Sequence, residues 1–322
     1  MKLSIIIVSW NVRPILRECL QSIYRSTPGC LFEIIVVDNA SSDDSAAMIR
    51  AEFPAVTVIE NADNPGFAAA TNQGIRQSRG DYILLLNPDT LVHPGALEAM
   101  VMELDANPSL GACGPKILNA DGSIQVTAGG AAPTFRSALY SKTIFRKLGI
   151  FRCHHHSRMK KVHDPNVKAS AEQLSGAAVM VRASVFEKIG LLDEQFFMYY
   201  EDTDLFYRMK TAGICMIYLP DACITHLGGQ STSQISSEKQ LLFLQSLFLF
   251  FRKHYGGVKT FFFGLVFKPA YLLRVVTDAV NGLFGLFFFG LAANFRKKEK
   301  SAYKYRQSVS FLRKHMITFL RI

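Results

Sequence analysis

The sequence places three acidic residues, Glu201, Asp202 and Asp204, between the apolar runs FFMYY and LFYRM. Acidic residues also favour the exposed first turn of a helix, because they interact favourably with its dipole. These flanking runs, however, are too apolar for an exposed segment. Carboxyl groups close to aromatic rings are expected to have raised pKa values, as groups that transfer protons often do. The cluster is therefore a candidate for acid–base chemistry.

Polar residues also follow three apolar runs, SIIIV, EIIVV and YILLL, which have the composition of buried strands. Asn and Asp are common in turns, so each position alone is consistent with a purely structural role. Polar groups from three strand ends at one edge of a sheet would instead line a binding crevice. These residues are Ser9, Asn11, Asp38, Asn39, Asn87 and Asp89.

Alternating strand and helix patterns must position these residues. In the first 110 residues, runs rich in β-branched residues alternate with segments whose apolar residues recur at helical spacing. This alternation predicts an α/β fold with a mostly parallel sheet and helices on both faces. Further along, GACGPKILNADGSIQ predicts a strand and hairpin, LSGAAVMVRASVFEKIG a strand and helix, and CMIYLPDACITHLGG a strand.

Residues 129–172 have mixed polarity, and we interpret them as a long mobile or acceptor-facing insertion. Three consecutive His side chains in this segment cannot all reach one ion without distortion, and no matching pair of ligands follows. A solvated basic loop is therefore favoured over a metal site. The residues concerned are Cys153, His154, His155, His156 and His163.

The charge distribution argues against nucleic acid as a partner. Residues 1–251 contain 22 Lys and Arg against 24 Asp and Glu, whereas residues 252–322 contain 14 against 2. The basic segment is rich in Phe and Leu, which fits an anionic membrane surface better than a nucleic-acid groove. The six cysteines form no Cys-x-x-Cys pair, which is typical of reduced thiols in a cytosolic protein. The first apolar run ends at Trp10 without a cleavage site, which predicts a strand and not a signal peptide.

Six motifs occur in an order that is found in one enzyme family. They are SIIIVSWN, EIIVVDNASSDDS, NPGFAAATNQGI, GDYILLLNPDT, the segment from LSGAAVMV to EDTDLFYRM, and ITHLGGQST. They resemble the inverting nucleotide-sugar glycosyltransferases of glycosyltransferase family 2, which have the GT-A fold, and among them the bacterial rhamnosyltransferase-like members. The resemblance covers about residues 1–235 and is specific because the motifs occur together.

The resemblance implies a divalent cation, Mg²⁺ or Mn²⁺, that stabilises a diphosphate leaving group. NPDT stands where the family has an Asp-x-Asp motif, so Asp89 is implied as a metal ligand. Asn87 replaces the first Asp and is implied to orient the ribose or a metal-bound water. A lone His is more often structural, but His226 follows a strand, precedes Gly228 and Gly229, and resembles the family's further metal-side residue.

The resemblance also assigns roles to the acidic cluster and to the strand ends. Asp202 is implied as the base that takes a proton from the acceptor hydroxyl, Glu201 as a group that supports it or binds the acceptor, and Asp204 as part of the helix start. Asp38 is implied to contact a pyrimidine ring, and Gly176 to allow close backbone approach near the sugar. The full set of implied donor-binding residues is Ser9, Asn11, Asp38, Asn64, Gly66, Phe67, Asn72, Asn87 and Gly176.

The C-terminal region is both apolar and basic. EKQLLFLQSLFLFFRKH predicts a helix, and AVNGLFGLFFFGLAANF has 17 residues without charge, fewer than the ~20 that span a bilayer. Basic residues on both sides favour one side of the membrane. We therefore predict a catalytic domain at residues 1–235 and, at 236–322, a region that is peripheral or re-entrant at the cytoplasmic face of the inner (plasma) membrane. A buried helical subdomain or a homo-oligomer interface is the alternative.

These features predict a metal-dependent inverting glycosyltransferase that moves rhamnose from dTDP-rhamnose, its nucleotide-sugar donor, to a lipid-linked or cell-surface glycan acceptor. A hexosyl or galactofuranosyl donor and a non-catalytic nucleotide-sugar binding module remain as alternatives. A nucleotidyltransferase would need a Gly-rich basic loop after the first strand, and SWNVRPIL has none. A glycoside hydrolase would need two carboxylates that flank the bond and would have no leaving diphosphate to stabilise.

Overall fold

The chain divides into two compact units. The computed structural model describes residues 2–26, 29–125, 131–151, 164–228, 238–291 and 295–322. One unit comprises Met1–Ala132 and Arg158–Gln234, and the other comprises Pro133–Ser157 and Ile235–Ile322. The sheet lies in the first unit, and the described part of the second is helical. The domain boundary after residue 235 stays a prediction.

The described strands form one nine-stranded sheet in the order β3-β2-β1-β4-β8-β6-β9-β5, with β7 beside β9. The pairs among β3, β2, β1 and β4 are parallel, as is β6 with β9, whereas β8 is antiparallel to β4 and β6, and β5 to β9. The predicted α/β fold with a mostly parallel sheet is confirmed. The strands are β1 (Leu3–Ser9), β2 (Phe32–Asp38), β3 (Thr57–Glu60), β4 (Tyr82–Leu86), β5 (Thr90–Val92), β6 (Leu110–Leu118), β7 (Ala169–Ser170), β8 (Ala178–Arg182) and β9 (Cys215–His226).

Helices connect most of the strands and continue to the C-terminus. The described helices of the first unit are α1 (Arg13–Ser26), α2 (Ser45–Glu52), α3 (Phe67–Gln77), α4 (Ala96–Ala106), α7 (Ala183–Ile189) and α8 (Glu201–Thr211). Those of the second unit are α5 (Phe135–Lys142), α6 (Phe145–Leu148), α9 (Lys239–Tyr255), α10 (Gly257–Leu291), α11 (Phe295–Lys314) and α12 (Met316–Arg321).

Both faces of the sheet are covered, which explains why its central strands are continuously apolar. Successive strand side chains point to opposite faces. Accordingly, Ile5 and Ile7 belong to a core with α1 and α4, whereas Ile6 belongs to a second core with residues of α3 and α8. All seven residues of β1 are buried. The strands are therefore a rigid support for whatever follows their carboxyl ends.

Strand register brings the predicted polar residues to one edge of the sheet. Ser9 is paired with Asp38, and Ile7 with Leu86 at the end of β4. Because β1, β2 and β4 are parallel, the residues after their carboxyl ends lie at the same edge. The sequence prediction that three polar clusters converge there is confirmed by this register.

The structure differs from the sequence prediction in the segment 129–172. Two helices, α5 and α6, occupy part of it, and a capping box formed by Thr134 and Ser137 stabilises the start of α5. The segment is therefore not one continuous loop, and its interpretation as a mobile or acceptor-facing insertion stays a prediction. The His-rich stretch, residues 152–163, lies outside the described residues.

The second unit has a core made largely of aromatic rings. Phe263 of α10 packs against Phe248 and Phe251 of α9, and Tyr271 of α10 packs against Phe319 of α12. Helix α10 is one continuous helix from Gly257 to Leu291, although charged residues separate its apolar runs in the sequence. Among the described residues, its stretch Gly257–Phe288 is the helix long and apolar enough to cross a membrane, with 39% of its most apolar window buried inside the protein.

Candidate active site

Three polar residues, Asn87, Asp89 and His226, lie together just beyond β4, and we call them the metal-side group. The Nε2 atom of His226 is 3.3 Å from Oδ1 of Asp89 and 3.4 Å from Nδ2 of Asn87. Thr90 is paired with His226 in the β5–β9 ladder, and the amide of Leu227 donates to the carbonyl oxygen of Asp89 at 2.9 Å. The short strand β5, which the sequence analysis missed, therefore brings Asp89 and His226 together.

Gln125, which the sequence analysis did not single out, orients His226. Its Nε2 donates to the carbonyl oxygen of His226 at 2.8 Å, so its Oε1 is the atom 3.1 Å from Nδ1 of His226. An amide oxygen can only accept a hydrogen bond, so Nδ1 must carry the proton. In the neutral ring, Nε2 then presents its lone pair towards Asp89.

Asp89 and His226 fit a divalent cation that protein and substrate hold jointly. Within the described ranges, no group of three or more His, Cys, Asp or Glu side chains could hold an ion. Mg²⁺ usually takes one or two carboxylates and completes its shell with substrate phosphates and water. The Nε2 atom of His226 and the carboxylate oxygen of Asp89, 3.3 Å apart, are both atoms that can bind one divalent cation. The donor set thus suits an ion that binds together with a diphosphate.

We expect Gln125→Met to weaken binding of Mn²⁺ in the presence of nucleoside diphosphate by about 10- to 100-fold, as loss of an orienting partner does at other metal sites. The cause is loss of the hydrogen bond that fixes the tautomer and ring orientation of His226. Calorimetric titration of Mn²⁺ at a fixed nucleotide concentration measures the change. Gln195→Met, at an exposed position, is the matched control. Equal Mn²⁺ affinity in both variants would contradict the orienting role of Gln125.

The acidic cluster forms the first turn of α8, and the backbone before it has an unusual conformation. Tyr199 and Tyr200 have φ values of 68° and 69°, in the left-handed region that bulky residues rarely adopt. Such a conformation persists only where the surrounding structure imposes it. The following Glu201 and Asp204 are buried, so the alternative of an exposed acidic first turn is wrong.

The three acids have different surroundings. Asp202 is partly exposed, and its Oδ1 accepts hydrogen bonds from the amide and the hydroxyl of Thr203 at 2.6 and 3.2 Å. Glu201 is buried, and its Oε2 has no partner among the described residues. Asp204 is fully buried and accepts from Nε of Arg208 at 2.8 Å. Asp204 therefore stabilises the helix, as the resemblance implies, while Asp202 is the acid that can reach a substrate.

Burial raises the pKa of both Glu201 and Asp202 above the usual range of carboxylic acids. The negative charge of Asp202 raises the pKa of Glu201 further, whereas the hydrogen bonds from Thr203 favour the charged form of Asp202. The protonated form of Glu201 is therefore favoured, and Asp202 is the acid better suited to act as a base.

We expect the free energy of unfolding of the wild type to fall relative to that of Glu201→Gln as pH rises. The pKa of Glu201 is raised in the folded state, so its stabilising contribution is complete below the pKa of an unfolded Glu and is lost as pH rises through the folded value. Gln lacks this titration. Urea denaturation at about pH 4, below the ordinary pKa of Glu, and at about pH 9, above the raised pKa of Glu201 of about 8, measures the difference. Identical pH dependence for wild type and Glu201→Gln would refute it, and Glu98→Gln, at an exposed position, is the control.

Gly176 and Ala177, just before β8, lie next to the acidic cluster and the metal-side group. A Cβ atom at position 176 would overlap Oδ2 of Asp202. The carbonyl oxygen of Ala177 accepts a hydrogen bond from the amide of Asn87 at 2.9 Å. The resemblance implies that Gly176 allows close approach near the sugar. In the structure, the group that lies close to Gly176 is the carboxylate of Asp202. Gly176 and Ala177 bring Asp202 next to the metal-side group.

We expect Gly176→Ala to lower kcat by about 10- to 100-fold, because the added methyl group must displace the carboxylate of Asp202 and misplacement by about 1 Å has effects of this size. The nearest clash is with the end of a side chain, so the fold is expected to persist. Nucleoside diphosphate release and a thermal melt of the same sample test both parts. Ser184→Ala, a position of α7, is a control substitution. A kcat equal to that of the wild type would mean that Asp202 can move without cost.

Among the described residues, two buried polar side-chain atoms at the ends of β1 and β2 have no hydrogen-bond partner. Oδ2 of Asp38 accepts from the amide of Ser41 at 2.9 Å, but Oδ1 of Asp38 and Oγ of Ser9 have no partner among the described residues. An unsatisfied buried polar atom is costly, by roughly 1–3 kcal/mol. These two atoms are therefore suited to a ligand that supplies donors and acceptors, such as a pyrimidine ring.

Asn11 connects two loops at the same edge of the sheet. It has a left-handed φ of 51°, its amide donates to Oγ of Ser41 at 2.9 Å, and its Oδ1 accepts from the amide of Ser42 at 2.7 Å. Its side chain thus holds the loop after β1 against the loop after β2. Asn11 shapes the pocket that Ser9 and Asp38 line.

The loop before α3 contacts the segment that precedes the acidic cluster. Oδ1 of Asn64 accepts hydrogen bonds from the amide of Gly66 at 3.0 Å and from Nδ2 of Asn39 at 3.1 Å. The amide of Phe67 donates to the carbonyl oxygen of Phe197 at 2.7 Å. Gly66 has a φ of 95°, and a Cβ there would lie 2.5 Å from that same oxygen. Glycine is therefore required at position 66.

Asn72 does not face the crevice. Its side chain is buried, its Nδ2 donates to the carbonyl oxygen of Leu192 at 2.8 Å, and its Oδ1 accepts from the amide of Leu192 at 3.0 Å. Nδ2 also donates to Glu194 at 2.9 Å. The donor-binding role implied for Asn72 is therefore corrected to a structural one, in which the side chain connects α3 to the loop that leads to the acidic cluster.

Comparisons with known proteins identify the family of the chain. The family model for glycosyl transferase family 2 matches residues 4–164. An N-acetylglucosaminyl-diphospho-decaprenol L-rhamnosyltransferase of Mycobacterium tuberculosis is 26% identical over 273 residues, which cover 79% of this chain and 85% of the relative. A low-salt glycan biosynthesis hexosyltransferase of Haloferax volcanii is 30% identical over 217 residues, 66% of this chain and 62% of the relative.

Solved structures have the same fold. A mannosyltransferase from Pyrobaculum calidifontis, solved in complex with GDP-Man and Mn²⁺, superposes with a TM-score of 0.56 at 18% identity, over 97% of this chain and 87% of that one. A structure of GalNAc-T7 with UDP, GalNAc and Mn²⁺ superposes with a TM-score of 0.54 at 18% identity, over 70% of this chain and 43% of that one. The sheet with its carboxyl-end crevice is thus a GT-A fold, and the chain belongs to glycosyltransferase family 2.

Proposed function

We propose that this glycosyltransferase moves rhamnose from dTDP-rhamnose to a lipid-linked glycan acceptor, with inversion and with the help of a divalent cation. One observation carries the proposal: Gly176 lies against the carboxylate of Asp202, and its neighbour Ala177 accepts a hydrogen bond from Asn87, which contacts His226 beside Asp89. A base at Asp202 would therefore be close to a diphosphate bound at Asp89 and His226, as direct displacement requires. The relative from Mycobacterium tuberculosis is named for rhamnosyl transfer to a diphospho-decaprenol lipid, which supports this donor and acceptor.

The reaction is a single displacement. Asp202, which is ionised while Glu201 is protonated, accepts the proton of the acceptor hydroxyl. The acceptor oxygen bonds to the anomeric carbon from the face opposite the diphosphate. The bond from that carbon to the diphosphate oxygen breaks, its electron pair leaves with the nucleoside diphosphate, and the configuration inverts. A cation held by Asp89 and His226 would supply positive charge beside the departing diphosphate.

The buried atoms at the end of β1 and β2 support a pyrimidine nucleotide. A thymine ring presents one N–H donor between two carbonyl acceptors. Oδ1 of Asp38 can accept from that N–H, and Oγ of Ser9 can donate to a carbonyl oxygen. These two atoms therefore support a pyrimidine nucleotide such as dTDP or UDP as the donor's carrier.

Release of nucleoside diphosphate from a panel of nucleotide sugars, with membrane extract as the source of acceptor, tests the proposal. We expect release from dTDP-rhamnose, its loss in EDTA, and its recovery with Mg²⁺ or Mn²⁺. NMR of the product gives the anomeric configuration. Release only from a hexosyl or galactofuranosyl donor would overturn the rhamnosyl assignment within the same enzyme class. Donor binding without turnover of any sugar would favour a non-catalytic module.

A further inference from the structure

Helix α10 presents a continuous apolar stripe to solvent. Twelve of its described large apolar side chains are exposed, by 45 to 73%, at positions that recur every three or four residues and so share one face. This outer face includes Phe261, Phe262, Leu265, Leu273, Phe284 and Phe287. An exposed apolar surface of this extent marks an interaction site. We call the exposed apolar residues of this face between positions 261 and 288 the α10 stripe.

Three charged residues in the middle of the same helix, Lys268, Arg274 and Asp278, lie away from the stripe. The carboxylate of Asp278 contacts Nζ of Lys147 at 2.7 Å and Nζ of Lys304 at 2.9 Å. Nη1 of Arg274 donates to the carbonyl oxygen of Lys142 at 2.7 Å, and Nζ of Lys268 donates to that of Leu320 at 2.9 Å. These partners belong to other helices of the second unit, so the charged face is turned towards the protein. Between residues 261 and 288 no exposed residue of α10 is charged.

The length of the stripe and the position of these charges decide its orientation. From residue 261 to 288 the stripe extends for about 40 Å at 1.5 Å per residue, whereas the hydrocarbon core of a bilayer is about 30 Å thick. A crossing would also place Asp278 and its cations at membrane depth, which is costly. In a helix that lies parallel to the surface, the stripe enters the acyl region and the charged face stays outside it, against the other helices of the second unit.

We infer that α10 lies in the plane of an anionic membrane surface, with the stripe inserted, and does not cross the bilayer. The net positive charge of this region favours an anionic lipid surface, and not a second copy of the chain, as the partner that covers the stripe. Residues 252–322 contain 14 Lys and Arg against 2 Asp and Glu, so two copies of this region repel each other, whereas lipid phosphates attract it. Exposed Lys253 and Lys259 lie towards one end of the stripe, and exposed Lys297 and Lys298 beyond the other.

Vesicle flotation of the full-length protein tests the occupant. We expect binding to vesicles of phosphatidylglycerol and phosphatidylethanolamine to be at least about tenfold tighter than binding to phosphatidylcholine. The double variant Phe262→Ser, Leu265→Ser should bind the anionic vesicles at least about tenfold more weakly than wild type. The control Leu31→Ser, Met102→Ser removes two equally exposed apolar residues of the first unit and should bind as wild type does.

Either of two results would overturn the assignment to lipid. One is equal binding of the stripe variant and the control, when circular dichroism shows both to be folded. The other is a dimer in vesicle-free solution that dissociates in the stripe variant, because the occupant would then be a second copy. Neither result depends on sugar transfer, so failure here is distinguishable from failure of the proposed function.

Depth measurements distinguish a helix that lies on the membrane from one that crosses it. Single Trp residues are introduced as Phe262→Trp, Leu273→Trp and Phe287→Trp, and quenching by lipids brominated at different depths is corrected for native Trp10. Positions 262 and 287 are about 38 Å apart along a helix. A surface helix gives the same shallow depth at all three positions. A maximum depth at residue 273, with shallow ends, would show a crossing and overturn the inference.

Discussion

We expect Asp202→Asn to lower kcat for nucleoside diphosphate release by about 10²- to 10⁴-fold, the usual contribution of a general base. Asn has the same shape and can still accept the hydrogen bonds from Thr203, so the variant removes the basic oxygen and little else. The KM for the donor is expected to change little, because the nucleotide is proposed to bind at Ser9 and Asp38 and not at Asp202. Steady-state kinetics with a fixed saturating acceptor measures both constants.

The pH profile provides a second test of the base. Because the pKa of Asp202 is raised, kcat should fall on acidification at a pH above that at which an ordinary carboxylic acid is protonated. Asp221→Asn, at an exposed position of β9, is the matched control and should show the wild-type rate and profile. A variant Asp202→Asn that retained more than about a tenth of the wild-type kcat would rule out Asp202 as the base.

Asp89→Asn is expected to lower kcat/KM by about 10²- to 10⁴-fold, since a cation at a leaving diphosphate contributes several kcal/mol. The substitution is expected both to weaken metal binding and to slow the chemical step, because Asp89 is the carboxylate of the proposed metal site and Asn carries no charge. Binding of Mn²⁺ in the presence of nucleoside diphosphate should weaken in parallel. Kinetics over a range of Mn²⁺ concentrations separates weaker metal binding from a slower chemical step, because a high Mn²⁺ concentration should restore only the activity lost through weaker binding.

Two results would contradict this role of Asp89. The first is activity of the wild type that is unaffected by EDTA. The second is a rate for Asp89→Asn equal to that of Asp121→Asn, a control in the exposed hairpin after β6. Because no cluster of three metal-binding side chains is present among the described residues, we also expect weak binding of Mn²⁺ to the protein without nucleotide.

Residues that follow directly from a strand pattern were predictable from the sequence. Ser9, Asp38, Asn87 and Asp89 come at the ends of apolar runs, and parallel pairing of those runs is enough to place them at one edge. The acidic cluster was predictable as buried because apolar runs flank it. In each case the local pattern determines the burial, and the fold class determines the location.

Residues whose role depends on a partner far along the chain were not predictable in this way. Gln125 carries no motif, and its function follows from the position of His226 on a different strand. Asn72 lies in a segment that matches the family, yet its amide is used by the backbone of Leu192. Strand β5 has three residues, too few for a periodic pattern, and forms because β9 offers it a partner. Tertiary context decides each of these cases.

The contact between Gly66 and Phe197 has a consequence for engineering donor specificity. The loop before α3 and the loop before α8 are hydrogen-bonded at Phe67, and no side chain fits between them at position 66. Asn72 joins the same two segments a second time through Leu192. A chimera that imports either loop alone from another family member would pair surfaces that were never selected together. Residues 64–72 and 192–200 should therefore be exchanged as one module.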